Sequence, residues 1–202
     1  MAAVRIRSHF HKEGQRSAAA LASVVATLAW KLSIESIKRM RAAKYDIDVG
    51  RPYFDFVCEF MAFMAMAADR IAYAKLDAER RAEFTAALGK RMAEIVEDNK
   101  HMLFGEAQPG QCQQYFVDLF NRRSTDYAEF DYGPDGPDFG FKRCFSACLR
   151  DGLPEKDRVW VIDQVMEIEV PDAVTALDKT LAGLFDCGDG APLRERRRVD
   201  GD

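Results

Sequence analysis

The chain has 202 residues, of which 48% are hydrophobic and 31% are charged, and its formal net charge is −4. A chain of this length and balance can bury one sizeable core beneath a solvated surface, which excludes a disordered or fibrous protein. The negative charge gives no general attraction to phosphate backbones or anionic lipids, so it disfavours nucleic acid and membrane surfaces as partners.

The N-terminal region is predicted to lead into a long first helix. We expect residues 1–12 to be flexible and the helix to begin between Glu13 and Ser17 and to end near Ala43. Two apolar stripes recur at helical spacing, one through Leu21, Val25, Leu28 and Leu32 and the other through Trp30, Ile34 and Ile37. A helix with two such stripes is expected to pack against more than one neighbour.

The apolar run "SAAALASVVATLA" follows several basic residues, an order that is also typical of a secretory signal. The chain continues as "WKLSIESIKRM" with helical periodicity, and no run reaches the 18 or so uncharged apolar residues that a spanning helix needs. We therefore expect the run to be the first half of a helix in a protein that does not span a membrane. Five scattered cysteines are typical of a reducing compartment, so we expect a cytoplasmic protein.

The segment "FDFVCEFMAFMAMAADR" predicts the central element of the fold. Pro52 suits the first turn of a second helix, which extends to about Leu76. Projection around a helix leaves about two-thirds of the circumference apolar, and such a helix belongs in the middle of a bundle. A narrow polar stripe remains, which contains Asp55, Glu59 and Asp69.

The polar stripe and the methionines of this helix allow several interpretations. We favour a solvent-facing seam for Asp55 and Glu59. An alternative is a metal site in which these two carboxylates meet Glu35, although the Glu-x-x-His pairs of di-iron bundles are missing from the sequence. A further alternative is a pocket for a small apolar ligand, because methionine adapts to irregular shapes. Its candidate lining residues are Met61, Met64 and Met66.

The rest of the chain also reads as helical. Asp77 is the expected N-cap of a third helix that reaches His101 or Met102, and a fourth helix covers residues 111–130. The stretch "DYGPDGPDFG" excludes a helix, after which a fifth spans residues 141–150. A sixth helix covers residues 154–169, and we expect Pro171 to break it and to open a seventh. Residues 187–202 form a predicted disordered tail, so residues 13–186 make one all-α domain, a bundle of six or seven helices.

Two further groups in the C-terminal half could have a role. Cys144 and Cys148 lie one helical turn apart, and we expect them to be packed beneath neighbouring apolar side chains. Aromatic and arginine residues surround the Gly/Pro segment, and these residue types anchor protein interfaces. The candidate interface residues are Arg122, Arg123, Tyr132, Phe139 and Arg143.

No catalytic or cofactor-binding motif is found in the sequence. Phosphate-binding loops, dinucleotide fingerprints, Gly-x-Ser-x-Gly elbows and His-Glu-x-x-His pairs are all missing, and the chain has only three histidines. We therefore expect no cofactor and a non-catalytic protein that associates with itself or with another protein. The apolar-ligand protein and the metal-dependent enzyme remain as alternatives.

Overall fold

The computed structural model describes residues 17–47, 50–103 and 107–185, so the predictions for residues 1–12 and 187–202 lie outside the described residues. The described helices are α1 (Ala18–Ala42), α2 (Arg51–Tyr73), α3 (Ala78–Asp98), α4 (Lys100–Leu103), α5 (Gln111–Asp126), α6 (Phe139–Asp151), α7 (Glu155–Arg158), α8 (Val161–Gln164) and α9 (Val170–Phe185). A short antiparallel hairpin of β1 (Tyr132–Gly133) and β2 (Gly136–Pro137) precedes α6. The all-α class is confirmed.

Helix α2 is the central element, as the sequence predicts. Every residue from Phe60 to Ala68 is buried, and α2 packs against α1, α3, α5, α6 and α9. Phe63 stacks on Phe145 of α6 with ring centroids 4.4 Å apart, and Phe60 meets the edge of the same ring at 5.6 Å. These aromatic contacts lock α6 onto α2 and add to the free energy gained from burial.

Helix α1 packs through some of the predicted large side chains, since Leu21, Val25 and Ile37 are buried, and also through small side chains that the stripes did not include. Its fully buried residues include Ala22, Ala26 and Ala29, whereas Leu28 and Trp30 lie half-buried at the sides. Small side chains let α2 and α3 approach α1 closely. Among the described helices, α1 is long and apolar enough to cross a membrane by length and composition, and 44% of its most apolar stretch is buried against the rest of the fold.

The predicted break at Pro171 is wrong. The chain remains helical from α8 into α9 through a π-helical turn, Val165–Glu169, in which the Val170 N–H donates to the Val165 carbonyl five residues back. A proline lacks an N–H and its ring collides with the preceding turn of an α-helix, and a widened turn just before Pro171 relieves that collision. The helix therefore accommodates its proline without ending.

The π-turn also places a buried acid against α1. The side chain of Glu169 is fully buried, and Arg39 donates to it at 2.5 Å and Gln164 at 3.1 Å. A charge at such a depth requires a charged partner, because an unpaired buried carboxylate costs several kcal/mol. This pair fastens α9 to the C-terminal half of α1.

Glu97 joins the end of α3 to the beginning of α5. Its carboxylate accepts hydrogen bonds from the N–H groups of Gly110, Cys112 and Gln113 at 2.8 to 3.1 Å and from the Lys100 ammonium at 2.7 Å. An anion at a helix N-terminus satisfies N–H groups that have no partner within the helix. The bond from Lys100, together with those from the backbone, lowers the pKa of Glu97 from 4.5 to about 2.

Candidate functional site

A cleft of about 450 Å³ opens where α2, α5 and α6 meet. One wall comes from the polar stripe of α2, the second from α5 and the third from the middle and end of α6. Its polar and sulfur-bearing lining residues are Asp55, Glu59, Tyr115, Arg123, Asp126, Cys144, Cys148 and Asp151. Carboxylates outnumber the single arginine in this set, so the cleft has a negative electrostatic character.

An ion pair between α2 and α5 lies at the centre of the lining. The Arg123 guanidinium donates to both carboxylate oxygens of Glu59, at 2.7 and 2.5 Å, and to Asp126 at 2.6 Å. The side chains of Glu59 and Arg123 are only 12% and 19% exposed. The hydrogen bond with Glu59 raises the pKa of Arg123 above its ordinary value, against the opposing effect of burial, so the guanidinium remains charged.

Asp55 is held in a similar way one turn earlier on α2. Arg51 donates to its carboxylate at 2.6 and 2.8 Å, and the Tyr115 hydroxyl of α5 donates at 2.8 Å. Burial and the bond to Asp55 raise the pKa of Tyr115 to about 12. The prediction of a solvent-facing acidic seam is therefore wrong, because Asp55 and Glu59 connect α2 to α5.

The predicted metal group is not formed. Glu35 lies on the outer side of α1 and pairs with Lys31 at 3.9 Å, while Asp55 and Glu59 are each bound by an arginine. Across residues 17–47, 50–103 and 107–185, no three His, Cys, Asp or Glu side chains are grouped closely enough to hold an ion. Glu35 does not meet Asp55 and Glu59, because its position on α1 directs its side chain towards solvent.

The two cysteines of α6 border the cleft and are only partly buried, so the predicted packed position is incomplete. A hydrogen bond from Cys148 lowers the pKa of Cys144, with a further contribution from the Arg123 guanidinium, while burial acts in the opposite direction. The same hydrogen bond and burial raise the pKa of Cys148 well above its ordinary value. The two thiols are therefore linked electrostatically to each other and to Arg123.

The methionines proposed to line an apolar pocket belong to the core. Met61 and Met64 are fully buried and Met66 is nearly so. Neither the cleft described above nor a smaller groove of about 280 Å³ between α3 and α5 is bordered by them. The apolar-ligand interpretation stays a prediction.

The predicted interface residues divide into two groups. Phe139, Arg122 and Arg143 are exposed, as an interface requires. Arg123 instead forms the ion pair of the cleft, and Tyr132 packs edge-on against Phe141 at 5.7 Å with its hydroxyl buried and unpartnered. Replacing Tyr132 would consequently disturb the fold, and it cannot serve as a test of association.

A second exposed apolar surface was not predicted from the sequence. We call Tyr45, Val159 and Trp160 the corner patch. Val159 and Trp160 are 69% and 65% exposed at the junction of α7 and α8. Tyr45 is half-buried and is hydrogen-bonded to that junction. The sequence does contain one indication of this surface. Val161 and Val165 are the buried residues of the segment, and Trp160 does not lie on the helical face that they share. Tryptophan is among the residues most enriched in the energetic centres of protein interfaces.

We compared the chain with protein-family models, with curated proteins and with solved structures, and none of the three comparisons gave a match.

Proposed function

We propose that the protein is a non-catalytic helical module that acts by association, in the first instance with a second copy of itself, through the corner patch. The observation that carries this proposal is the exposure of Trp160, which leaves 65% of its surface in water. Removing the apolar surface of a tryptophan and its neighbour from water would contribute several kcal/mol to association. Closed two-fold dimers are the commonest assemblies of identical chains, which is why we place self-association first.

The backbone beneath the corner patch is held in place before any partner arrives. The Tyr45 hydroxyl donates to the Trp160 carbonyl at 3.0 Å, and the Asp46 N–H donates to Asp157 at 2.8 Å. Lys156 also pairs with Asp46 at 2.7 Å. These bonds tie the connection between α1 and α2 to α7, so that less conformational entropy is lost on binding.

The size of the protein in solution tests the proposal. We expect light scattering of the eluting full-length chain to give a dimer at micromolar concentration, and Trp160→Ser to give a monomer with unchanged helical content. Tyr73→Ser is the matched control, because Tyr73 is 70% exposed but lies beneath the Arg81 guanidinium, 4.9 Å from its ring centre. This control should remain dimeric.

Two results would overturn this assignment. A wild-type monomer at the highest soluble concentration would exclude self-association and leave association with another protein to be tested. Equal dimerisation of Trp160→Ser and wild type would move the interface elsewhere, and Phe139→Ser would then test the other predicted surface.

We also propose a cytoplasmic location. The four cysteines of the described residues, Cys58, Cys112, Cys144 and Cys148, are free thiols. Free thiols are typical of proteins kept in a reducing compartment. Fractionation of cells that express the tagged full chain should recover it with the soluble fraction, and recovery with membranes would contradict this location.

A further inference from the structure

We propose that Cys144 and Cys148 form a two-coordinate binding site for a soft monovalent metal ion, Cu(I), in the wall of the cleft between α2, α5 and α6. The inference is independent of the proposed association, since the cleft and the corner patch share no lining residue. It rests on the spacing of the two thiols, their access to the cleft and the charge of their surroundings.

The spacing of the thiols permits a shared ion and disfavours a disulfide. Both residues lie within the continuous helix α6, four positions apart, where Cβ atoms are about 5 to 6 Å from each other. A disulfide requires a Cβ separation of about 3.5 to 4.5 Å, so closing one would distort the helix. An ion with metal–sulfur bonds of about 2.3 Å, the length found in zinc thiolates, spans sulfurs up to about 4.6 Å apart, which thiols on successive turns can reach.

The number of available ligands selects the type of ion. Zinc requires four ligands in a structural site and three in a catalytic one. In the part of the chain that the structure describes, no third His, Cys, Asp or Glu completes such a set. Two thiolates alone are sufficient for Cu(I), a soft ion that prefers sulfur and accepts two ligands.

The charges that line the cleft attract a cation. Asp55, Glu59, Asp126 and Asp151 line the same cleft, with Arg123 as the basic residue among them. Acidic residues attract a cation into the cleft, and the guanidinium of Arg123 lies close enough to Cys144 to offset the negative charge of two thiolates that share one ion.

Binding involves no change of oxidation state. Cu(I) replaces the proton of each thiol, two copper–sulfur bonds form, and two protons are released to solvent. The complex carries one negative charge, which lies near the Arg123 guanidinium. Because protons are released, binding should tighten as the pH rises.

An anaerobic competition titration tests the site. The reduced full-length protein is titrated with Cu(I) in the presence of a chromogenic Cu(I) chelator, and X-ray absorption at the copper edge counts the sulfur neighbours. We expect one ion per chain with two sulfur neighbours. Cys144→Ser and Cys148→Ser should each weaken binding by more than the roughly 10- to 100-fold that the loss of an outer-shell partner costs.

The other cysteines provide matched controls. Cys112→Ala removes a buried thiol of α5, and Cys187→Ser removes a thiol outside the described residues, and both variants should bind Cu(I) as the wild type does. Far-UV circular dichroism verifies that every variant is folded. Three results would each overturn the proposal. The wild type could fail to retain Cu(I) against the chelator, the Cys144→Ser/Cys148→Ser double variant could retain it, or Cys187→Ser could lose it.

Discussion

Replacement of Arg123 by leucine should destabilise the fold because it leaves a carboxylate without its partner. Glu59 would keep its negative charge at a position where only 12% of its side chain meets water. Breaking a fully buried ion pair costs about 3 to 5 kcal/mol, and the remaining contact with water reduces our expectation to about 2 kcal/mol. For a chain of this length that corresponds to a fall in melting temperature of about 4 to 8 °C.

The neighbouring residue supplies the control. Arg122 is exposed on the same helix, and Arg122→Leu should change the free energy of unfolding by no more than about 0.5 kcal/mol. Urea unfolding followed by circular dichroism measures both variants. In the double variant Glu59→Leu/Arg123→Leu, most of the lost stability should return, because two apolar side chains replace the pair and no charge is left alone.

An Arg123→Leu variant that lost no more stability than Arg122→Leu would contradict this expectation. In that case Glu59 would be well solvated, and the polar stripe of α2 would be the solvent-facing seam that the sequence suggests. Failure of the double variant to regain stability would show that packing, and not the charge left behind, accounts for the effect.

The remaining predictions concern Glu97 and two glycines. The pKa of Glu97 is lowered to about 2 from 4.5, so its carboxylate stabilises the fold above about pH 5, and this contribution is lost as the pH falls towards 2. Glu97→Gln should therefore cost about 1 to 2 kcal/mol at neutral pH, and denaturant titrations should show the difference from wild type closing in acid; a constant difference would contradict this origin. Gly140→Ala would place a Cβ 2.5 Å from the ring of Phe130 and should cost about 1 to 3 kcal/mol in urea unfolding. The Cβ added by Gly183→Ala in α9 meets no atom within 4 Å, so this substitution should instead stabilise the helix by up to about 1 kcal/mol. If the two substitutions changed the free energy of unfolding equally, helix propensity, and not the contact with Phe130, would account for both effects.

Much of the fold was predictable because its strongest signals are local. The unbroken apolar surface of α2 predicts its central position, and Asp77 caps α3 as expected, with its carboxylate accepting from the Arg80 N–H at 2.9 Å. The helix through Pro171 was not predictable, because a proline within a helical pattern ordinarily ends or kinks the helix and the local pattern does not show the widened turn that accommodates it.

The candidate site depended on contacts between residues far apart in sequence. Glu59 and Arg123 are 64 residues apart, and nothing in either local pattern shows that they pair. For the same reason the cleft beside Cys144 could not be predicted, because it forms only where three helices converge. The exposure of Trp160 likewise depends on which face of α8 is packed against α6.

Photochemical cross-linking from position 160 tests whether the corner patch joins two copies of the chain. A benzophenone amino acid replaces Trp160 in one sample of the purified full chain and Tyr73 in a matched sample, and both are irradiated at the same concentration. We expect a covalent product of two chains from position 160, mapped by mass spectrometry to the segment that contains Val159, and little product from position 73. Equal products from both positions, or none from position 160, would contradict it.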